Sequence, residues 1–377
     1  MKKTIWTIII LAAIVFIILN TRSRNNFSVV DGENPIKIGA ILPMTGIAAV
    51  YGEHHLNAIR MAIDEINTKG GILNRKLELV LEDNATDPKK EISGYQKLTA
   101  IDHVPVIIGG VWDIMANAVM PLVDSVKVPL ISPTAPPDIL DSTSQNFFTI
   151  IAPVSLHQKI IERYLRMETG QKVALMYVSS GWGNAHKLTY EKAVKETGKT
   201  IVSQSELTKF DNNDVQREIT LLKTSRPDII LSAVNFIDSK LLVEKNSQLS
   251  LGAKIFSHTN LETTYFEQGI DKEALKGSVV YRLESPKSRF IEDYRKRYNK
   301  EPVSDADKAY DAIYVIAKAI EISKEVSPAG IVAGIKRISD FEGVAGPIDY
   351  TKANWPTVDN AHLEIFDGND FVPYLDK

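Results

Sequence analysis

Few stretches of this 377-residue chain carry residue types able to do chemistry, and each has a plain structural use beside the chemical one. His54-His55 could hold a metal, but adjacent residues on a helix point about 100° apart and cannot chelate together. Gly181-Trp182-Gly183-Asn184-Ala185-His186 begins like a dinucleotide-binding fingerprint and then places histidine where the last glycine belongs. Asp83 and Asp87 are paired carboxylates, as any acidic chain contains, and sequence fixes no gap between them that marks a glycosidase. No G-x-S-x-G, P-loop or H-E-x-x-H occurs, and the absence of cysteine removes thiol nucleophiles, disulfides and thiolate metal sites. The expectation is no enzyme, no cofactor and no metal. Three further residues carry a plain reading beside a chemical one. Asp113 opens an apolar helical pattern, so it serves as a helix cap, as a charged contact, or as both. Trp182, beside glycines, either packs its own loop or covers a ligand, and Tyr51 either lines a pocket or packs at the surface.

The elements that would position these residues alternate. Ile36, Ile38, Ala40 and Ile41 form a short apolar strand ended by Pro43 and Gly46. Leu56, Ile59, Ile63 and Ile66 then recur at helical spacing, and Gly70-Gly71 stop the helix. Leu77 to Leu81 returns as a strand, completing a right-handed βαβ unit. Further strands are expected at 103–110, 128–133, 147–151, 172–178, 201–207, 228–234, 255–257 and 278–281. Helices are expected at 87–100, 112–126, 155–169, 184–197, 214–224, 239–251, 288–298 and 306–323. The lysine-rich run at 287–300, interspersed with Glu292 and Asp293, reads as a solvated helix face. Two sets of similar order predict an α/β protein of two doubly wound parallel-sheet lobes. In such sheets a ligand sits beyond the strand carboxyl ends, where helix amino termini offer free N–H groups. That selects loops 44–51, 84–87, 110–113 and 132–137 in the first lobe, and 179–183, 235–238 and 258–261 in the second.

The order Ile38-Gly39-Ala40, Gly46, Tyr51-Gly52, Ala62, Ile66-Asn67, Gly70-Gly71-Ile72, Leu77 to Val80, Asp83 and Asp87-Pro88 resembles the start of a known fold. It is similar to type I periplasmic binding proteins of the leucine/isoleucine/valine-binding family, and the resemblance runs through nearly all of the chain beyond residue 36. Tyr310-Asp311-Ala312-Ile313 and Phe341 to Tyr350 resemble the family's later helix and glycine-rich loop. The resemblance implies a three-crossing hinge between 36–152 with 283–350 and 153–282 with 351–377. It implies capture of a small polar ligand by lobe closure and delivery to the permease of an ABC importer. A membrane-anchored sensor working through a separate partner is the alternative.

The resemblance also places site residues. Tyr51 matches an aromatic at the pocket mouth, and Trp182 falls where the second lobe supplies an aromatic cover. Asp113 stands near a carboxylate-binding serine, with Trp112 beside it, and Thr134 lies in the loop that supplies a threonine, near Ser132. Thr259 or Asn260 stands near the acid that usually pairs the ligand ammonium, and Asn235 or Phe236 near a tyrosine. Both charged ends of the amino-acid pattern are altered, so the expected ligand is a neutral or cationic polar metabolite rather than a dicarboxylate.

Lys2 and Lys3 precede an apolar run from Ile5 to Leu19, with Arg22 and Arg24 after it. Residues 1–24 read as an uncleaved signal-anchor helix or as a cleaved signal, and no A-x-A-like exit favours cleavage. Residues 25–35, with Gly32, read as a linker. The net charge of −3 provides no basic field for nucleic acid.

Overall fold

The computed structural model describes residues 34–208, 212–282, 287–303, 305–356 and 361–375. The leader at 1–24 lies outside the described residues; among those described, no helix is long and apolar enough to cross a membrane.

The first lobe opens with β1 (Ile36–Leu42), α1 (Ala49–Thr68), β2 (Leu77–Asp83) and α2 (Pro88–Ala100), followed by β3 (Ile107–Ile108) and α3 (Asp113–Val126). Strands β4 (Leu130–Ser132) and β5 (Phe147–Thr149) complete its sheet, whose order is β2-β1-β3-β4-β5, all parallel. The central strands are buried on both sides: Ile38, Ala40 and Ile41 are fully covered. Asp87 caps α2 by accepting from the Lys89 amide, and Pro88 takes the first helical position, where no N–H is needed.

The second lobe repeats the scheme with α4 (Gln158–Met167), β6 (Lys172–Val178), α5 (Gly181–Glu196), β7 (Thr200–Leu207), α6 (Asn212–Ser225) and β8 (Ile229–Ala233). Then follow α7 (Phe236–Gln248), β9 (Lys254–Ser257), α8 (Asn260–Gln268), α9 (Lys272–Leu275) and β10 (Val279–Arg282). The chain returns to the first lobe as α10 (Ser288–Tyr298), α11 (Ala306–Ser323), α12 (Pro328–Ile335) and the hairpin β11 (Phe341–Glu342) with β12 (Pro347–Ile348). It ends on β13 (His362–Phe366) and β14 (Phe371–Pro373), which join the second sheet in the order β14-β13-β10-β9-β8-β6-β7.

Two expectations are corrected here. The second sheet is mixed rather than purely parallel, because β13 runs antiparallel to β10 and to β14. The short link at 367–370 makes β13 and β14 a hairpin, which requires an antiparallel pair, whereas β13 itself comes back to β10 from the first lobe. The strand expected at 103–110 pairs only at Ile107 and Ile108. Helices α8 and α12 and both tail strands lie beyond the elements expected from the apolar pattern.

Both lobes reverse strand order at corresponding places, β1/β3 in the first and β6/β8 in the second. At each, a glycine in the first turn of the next helix lets backbone approach backbone. A Cβ on Gly52 would lie 2.2 Å from the Pro43 carbonyl oxygen, and one on Gly183 would lie 1.9 Å from that of Val178. Any larger residue would push α1 or α5 off its sheet and open the crevice that the switch points create.

Candidate functional site

A cavity of about 660 Å³, partly continuous with solvent, lies between the lobes over these switch points. Its walls come from both sides: Tyr51, Trp112, Asp113 and Thr134 from the first lobe, Trp182, Asn235, His258 and Asn260 from the second. Ile114, Ile139, Ile151 and Val178 fill the spaces between, with Ser180 and Asp305 at the edges. Among the described residues, no lysine or arginine lines it.

Seven of the expected site residues therefore meet here: Tyr51, Trp112, Asp113, Thr134, Trp182, Asn235 and Asn260. Three others turn away, for reasons one residue of rotation decides. The Ser132 hydroxyl donates to the Gly110 carbonyl at 2.9 Å and accepts from the Ala135 amide at 3.0 Å, bracing the loop instead of the ligand space. Phe236 is buried beneath the Tyr51 ring, at a centroid distance of 6.0 Å. The Thr259 hydroxyl pairs with His258 Nδ1 at 2.9 Å.

Asp113 lines the cavity as expected but is not the N-cap of its helix. The residue capping α3 is Trp112, and the Asp113 carboxylate crosses the cleft to accept from the Trp182 amide at 3.0 Å. Burial pushes its pKa up, while the amides of Trp182, Ile114 and Gly181 oppose that shift. This carboxylate thus fills the amino terminus of α5 with a charge from the protein itself, a placement the helix dipole favours. Gly183 N–H is taken too, by the Ser180 hydroxyl oxygen at 3.1 Å.

Trp112 pays for its position in backbone geometry: its φ of 71° with ψ of 157° belongs to a region that glycine alone occupies easily. Its amide is held by the Thr134 hydroxyl oxygen at 3.0 Å, and its ring meets Tyr51 edge-on at 5.5 Å. The Tyr51 hydroxyl donates across the cleft to Asn260 Oδ1 at 2.5 Å, and Asn260 Nδ2 donates to the Val234 carbonyl at 3.0 Å. Burial, and next Asp305, hold that phenol well above its usual pKa. Asn235 caps α7 by accepting from the Asp238 amide at 2.9 Å.

Behind Trp182 lies a chain of neutral groups that sequence reasoning missed. The Trp182 carbonyl can only accept, so His186 Nδ1 carries the proton shared with it at 2.9 Å. Burial pulls the His186 pKa down to about 4, so its Nε2 is bare and accepts from the Tyr281 hydroxyl at 2.8 Å. The Tyr281 oxygen then accepts from His157 Nδ1 at 2.9 Å. The indole lies against the His186 ring at 4.4 Å, so this chain fixes both backbone and ring of the cover. His258, pulled down to about 3 by burial and then by His186, stands edge-on to both Trp182 and Tyr281.

Of the two histidines first considered for a metal, His54 bridges the lobes, with Nδ1 on the Tyr294 hydroxyl at 2.8 Å and Nε2 on Glu267 at 3.0 Å. Among the described residues, no group of three or more His, Asp or Glu side chains is arranged to hold a metal ion.

Comparison with known proteins places this geometry. Residues 35–363 match the family model described as periplasmic binding protein. A Leu/Ile/Val-binding protein, BraC3, of Rhizobium johnstonii is 26% identical over 322 residues, covering 84% of this chain and 87% of its own. A leucine-, isoleucine-, valine-, threonine- and alanine-binding protein of Pseudomonas aeruginosa is 25% identical, covering 84% of this chain and 85% of its own. Among solved structures, the branched-chain amino acid transporter substrate-binding protein LivJ of Streptococcus pneumoniae, in complex with isoleucine, superposes with a TM-score of 0.81 at 23% identity. That match covers 90% of this chain and 98% of LivJ. A solute-binding protein of an ABC transporter from Rhodopseudomonas palustris, in complex with 3,4-dihydroxybenzoic acid, reaches 0.80 at 22% identity, covering 91% of this chain and 98% of its own.

Proposed function

This chain belongs to the periplasmic binding protein family, and on that premise we propose that it captures a small, neutral or cationic polar metabolite outside the cytoplasmic membrane for an ABC importer. Its lobes are residues 36–152 with 283–350 and residues 153–282 with 351–377. A ligand touching both walls favours the closed arrangement by as much as it prefers that state, and the closed protein is what a permease partner recognises. One observation carries the reading above the rest: Trp182 reaches over the cavity from the second lobe while its amide is bonded to Asp113 of the first.

Residues 1–24 hold the protein at the membrane as an uncleaved anchor, a reading that rests on the apolar run Ile5 to Leu19 and the lack of a small-residue exit. Intact mass of membrane-fraction protein should include Met1 or lie within about one residue of it; a start between Asn20 and Asp31 rejects anchoring without touching the binding role.

The ligand role is tested by a thermal-shift screen over amino acids, amines, amides and small carboxylates. A compound at about a hundredfold its dissociation constant raises apparent stability by about 2.7 kcal/mol. With the compound that raises the midpoint most, indole emission should change, since water leaves the cleft on closure. Trp182→Phe should reduce that change and retain affinity, the remainder coming from Trp112 on the opposite wall, since Trp6 and Trp355 do not line the cavity. Trp182→Ala should bind at least about tenfold more weakly, about 1.4 kcal/mol. Unaltered affinity in Trp182→Ala rejects the cover role.

A further inference from the structure

The charges around the cavity do not balance, and the imbalance sits on a residue outside the expected set. Asp305 lines the cavity from the amino-terminal end of α11, in a left-handed conformation with φ of 61°. It makes no side-chain cap to its own helix. Burial disfavours its ionisation most; Asp307 and Glu262 add to that, while Lys308 and Arg282 oppose it. Neither cation is uncommitted. Lys308 Nζ lies 2.8 Å from Asp307, and Arg282 is shared between Glu262 and Glu364, the latter at 2.9 Å. Among the described residues four carboxylates therefore stand against two cations, with His362 beside Glu364 at 3.3 Å.

The same cavity has little to hold an anion. The two helix amino termini that meet over it, those of α3 and α5, already carry the Asp113 carboxylate and the Ser180 hydroxyl. Among the described residues no lysine or arginine lines the walls, and the remaining donors are neutral hydroxyl, amide, indole and imidazole groups. Its broad surfaces are Trp112, Trp182 and Tyr51, whose ring faces attract a cation and stack on an apolar body.

Resting on the solute-binding reading above, we propose that this cleft selects a small amine lacking an α-carboxylate, with its ammonium group held by Asp305 and its apolar body between Trp112 and Trp182. Asp305 is thus the specificity-determining residue, and it separates this chain from a site that holds an amino acid at both ends. The Asp113 carboxylate cross-links the closed lobes and excludes a ligand carboxylate from the place where helix amides would otherwise bind one.

Matched compounds test this on the full chain: isoamylamine against leucine and isocaproate, and phenethylamine against phenylalanine and hydrocinnamate. In each set the amine keeps the ammonium, the acid keeps the carboxylate, and the amino acid keeps both. Calorimetric titration should show at least one amine binding at least about tenfold more tightly than its amino acid, with no heat from either acid. Asp305→Asn should weaken that amine at least about tenfold, and asparagine tolerates the left-handed backbone, so the fold is retained. Amino acids binding as well as the amines overturn the amine assignment and leave the solute-binding reading standing. So does amine affinity unaltered in Asp305→Asn. Silence from all six compounds also overturns the assignment, and the wider screen then decides the parent reading.

Discussion

The two walls of the cleft come from sheets of the same strand order, yet they are built on opposite electrostatic plans. The first-lobe wall is charged and strained: Asp113 and Asp305 are carboxylates removed from bulk water, and Trp112 sits in backbone geometry suited to glycine. The second-lobe wall is neutral and braced from behind: His157, Tyr281 and His186 pass hydrogen bonds in series to the Trp182 carbonyl. One wall stores unspent interactions that a ligand can complete, and the other holds the cover still. The shared fold places the site at its switch points, but the division of labour between walls lies in side chains.

Breaking the second wall should have the largest effect. Tyr281→Phe leaves His186 Nε2 without its donor and His157 Nδ1–H without its acceptor, both deeply buried. His157 Nε2 already lacks a partner among the described residues, so nothing nearby compensates. Each orphaned polar group costs about 1–3 kcal/mol, so urea denaturation should show a loss of about 2–4 kcal/mol. A loss below about 1 kcal/mol would show that the histidines are not locked by this hydroxyl.

How far the two walls were legible in sequence differs in the same way. The loops were readable, because strand carboxyl ends follow from the βαβ order and Tyr51, Thr134 and Trp182 sit at them. Side-chain direction was not: Ser132 and Thr259 stand in the right loops, yet their hydroxyls bond to Gly110 and His258. Asp113 reads as a cap, because an acid at a helix start usually is one, and only the position of the other lobe sends it to Trp182. Asp305 was missed. In Asp305-Ala306-Asp307-Lys308 it looks like the solvated first turn of a helix, and the chain brings it to the cleft from far along the sequence. The Tyr281 chain likewise joins residues more than a hundred positions apart, and no local pattern announces it. The signal that could have found both is charge and polarity inside otherwise apolar or capping contexts.

The strain in the first wall can be measured by comparing two truncations at one position. Trp112→Ala and Trp112→Gly remove the same ring, its edge contact with Tyr51 and its contact with the cavity. Alanine keeps a Cβ at φ of 71°, whereas glycine adopts that geometry freely. The glycine variant should be the more stable by about 1–2 kcal/mol, less the greater freedom glycine has when unfolded. Equal stability would mean that the backbone at Trp112 relaxes once the ring is gone, and the strain would then belong to the side chain's packing.

The smallest expected effect separates the walls by the sign of their response to pH. Burial raises the Asp305 pKa from 3.8 to about 6, so the folded protein holds that proton more tightly than the unfolded chain. Its contribution to stability is therefore complete below about pH 4 and lost as pH rises through about 6. The histidines of the other wall act oppositely. His186 and His258, pulled down to about 4 and about 3, contribute stability above their unfolded value and lose it as pH falls. Asp305→Asn removes only the first response, so the histidine response cancels in the difference between variant and parent. That difference should grow from about pH 4 to about pH 7 in favour of asparagine and then level. Because Asp305 is partly exposed to the cavity, the gain should be on the order of 1 kcal/mol. Urea midpoints for both proteins at about pH 4, 5.5 and 7.5 measure it without any ligand. A difference that stays flat with pH would mean that Lys308 and Arg282 already compensate this carboxylate, and the first wall would then hold no unspent charge.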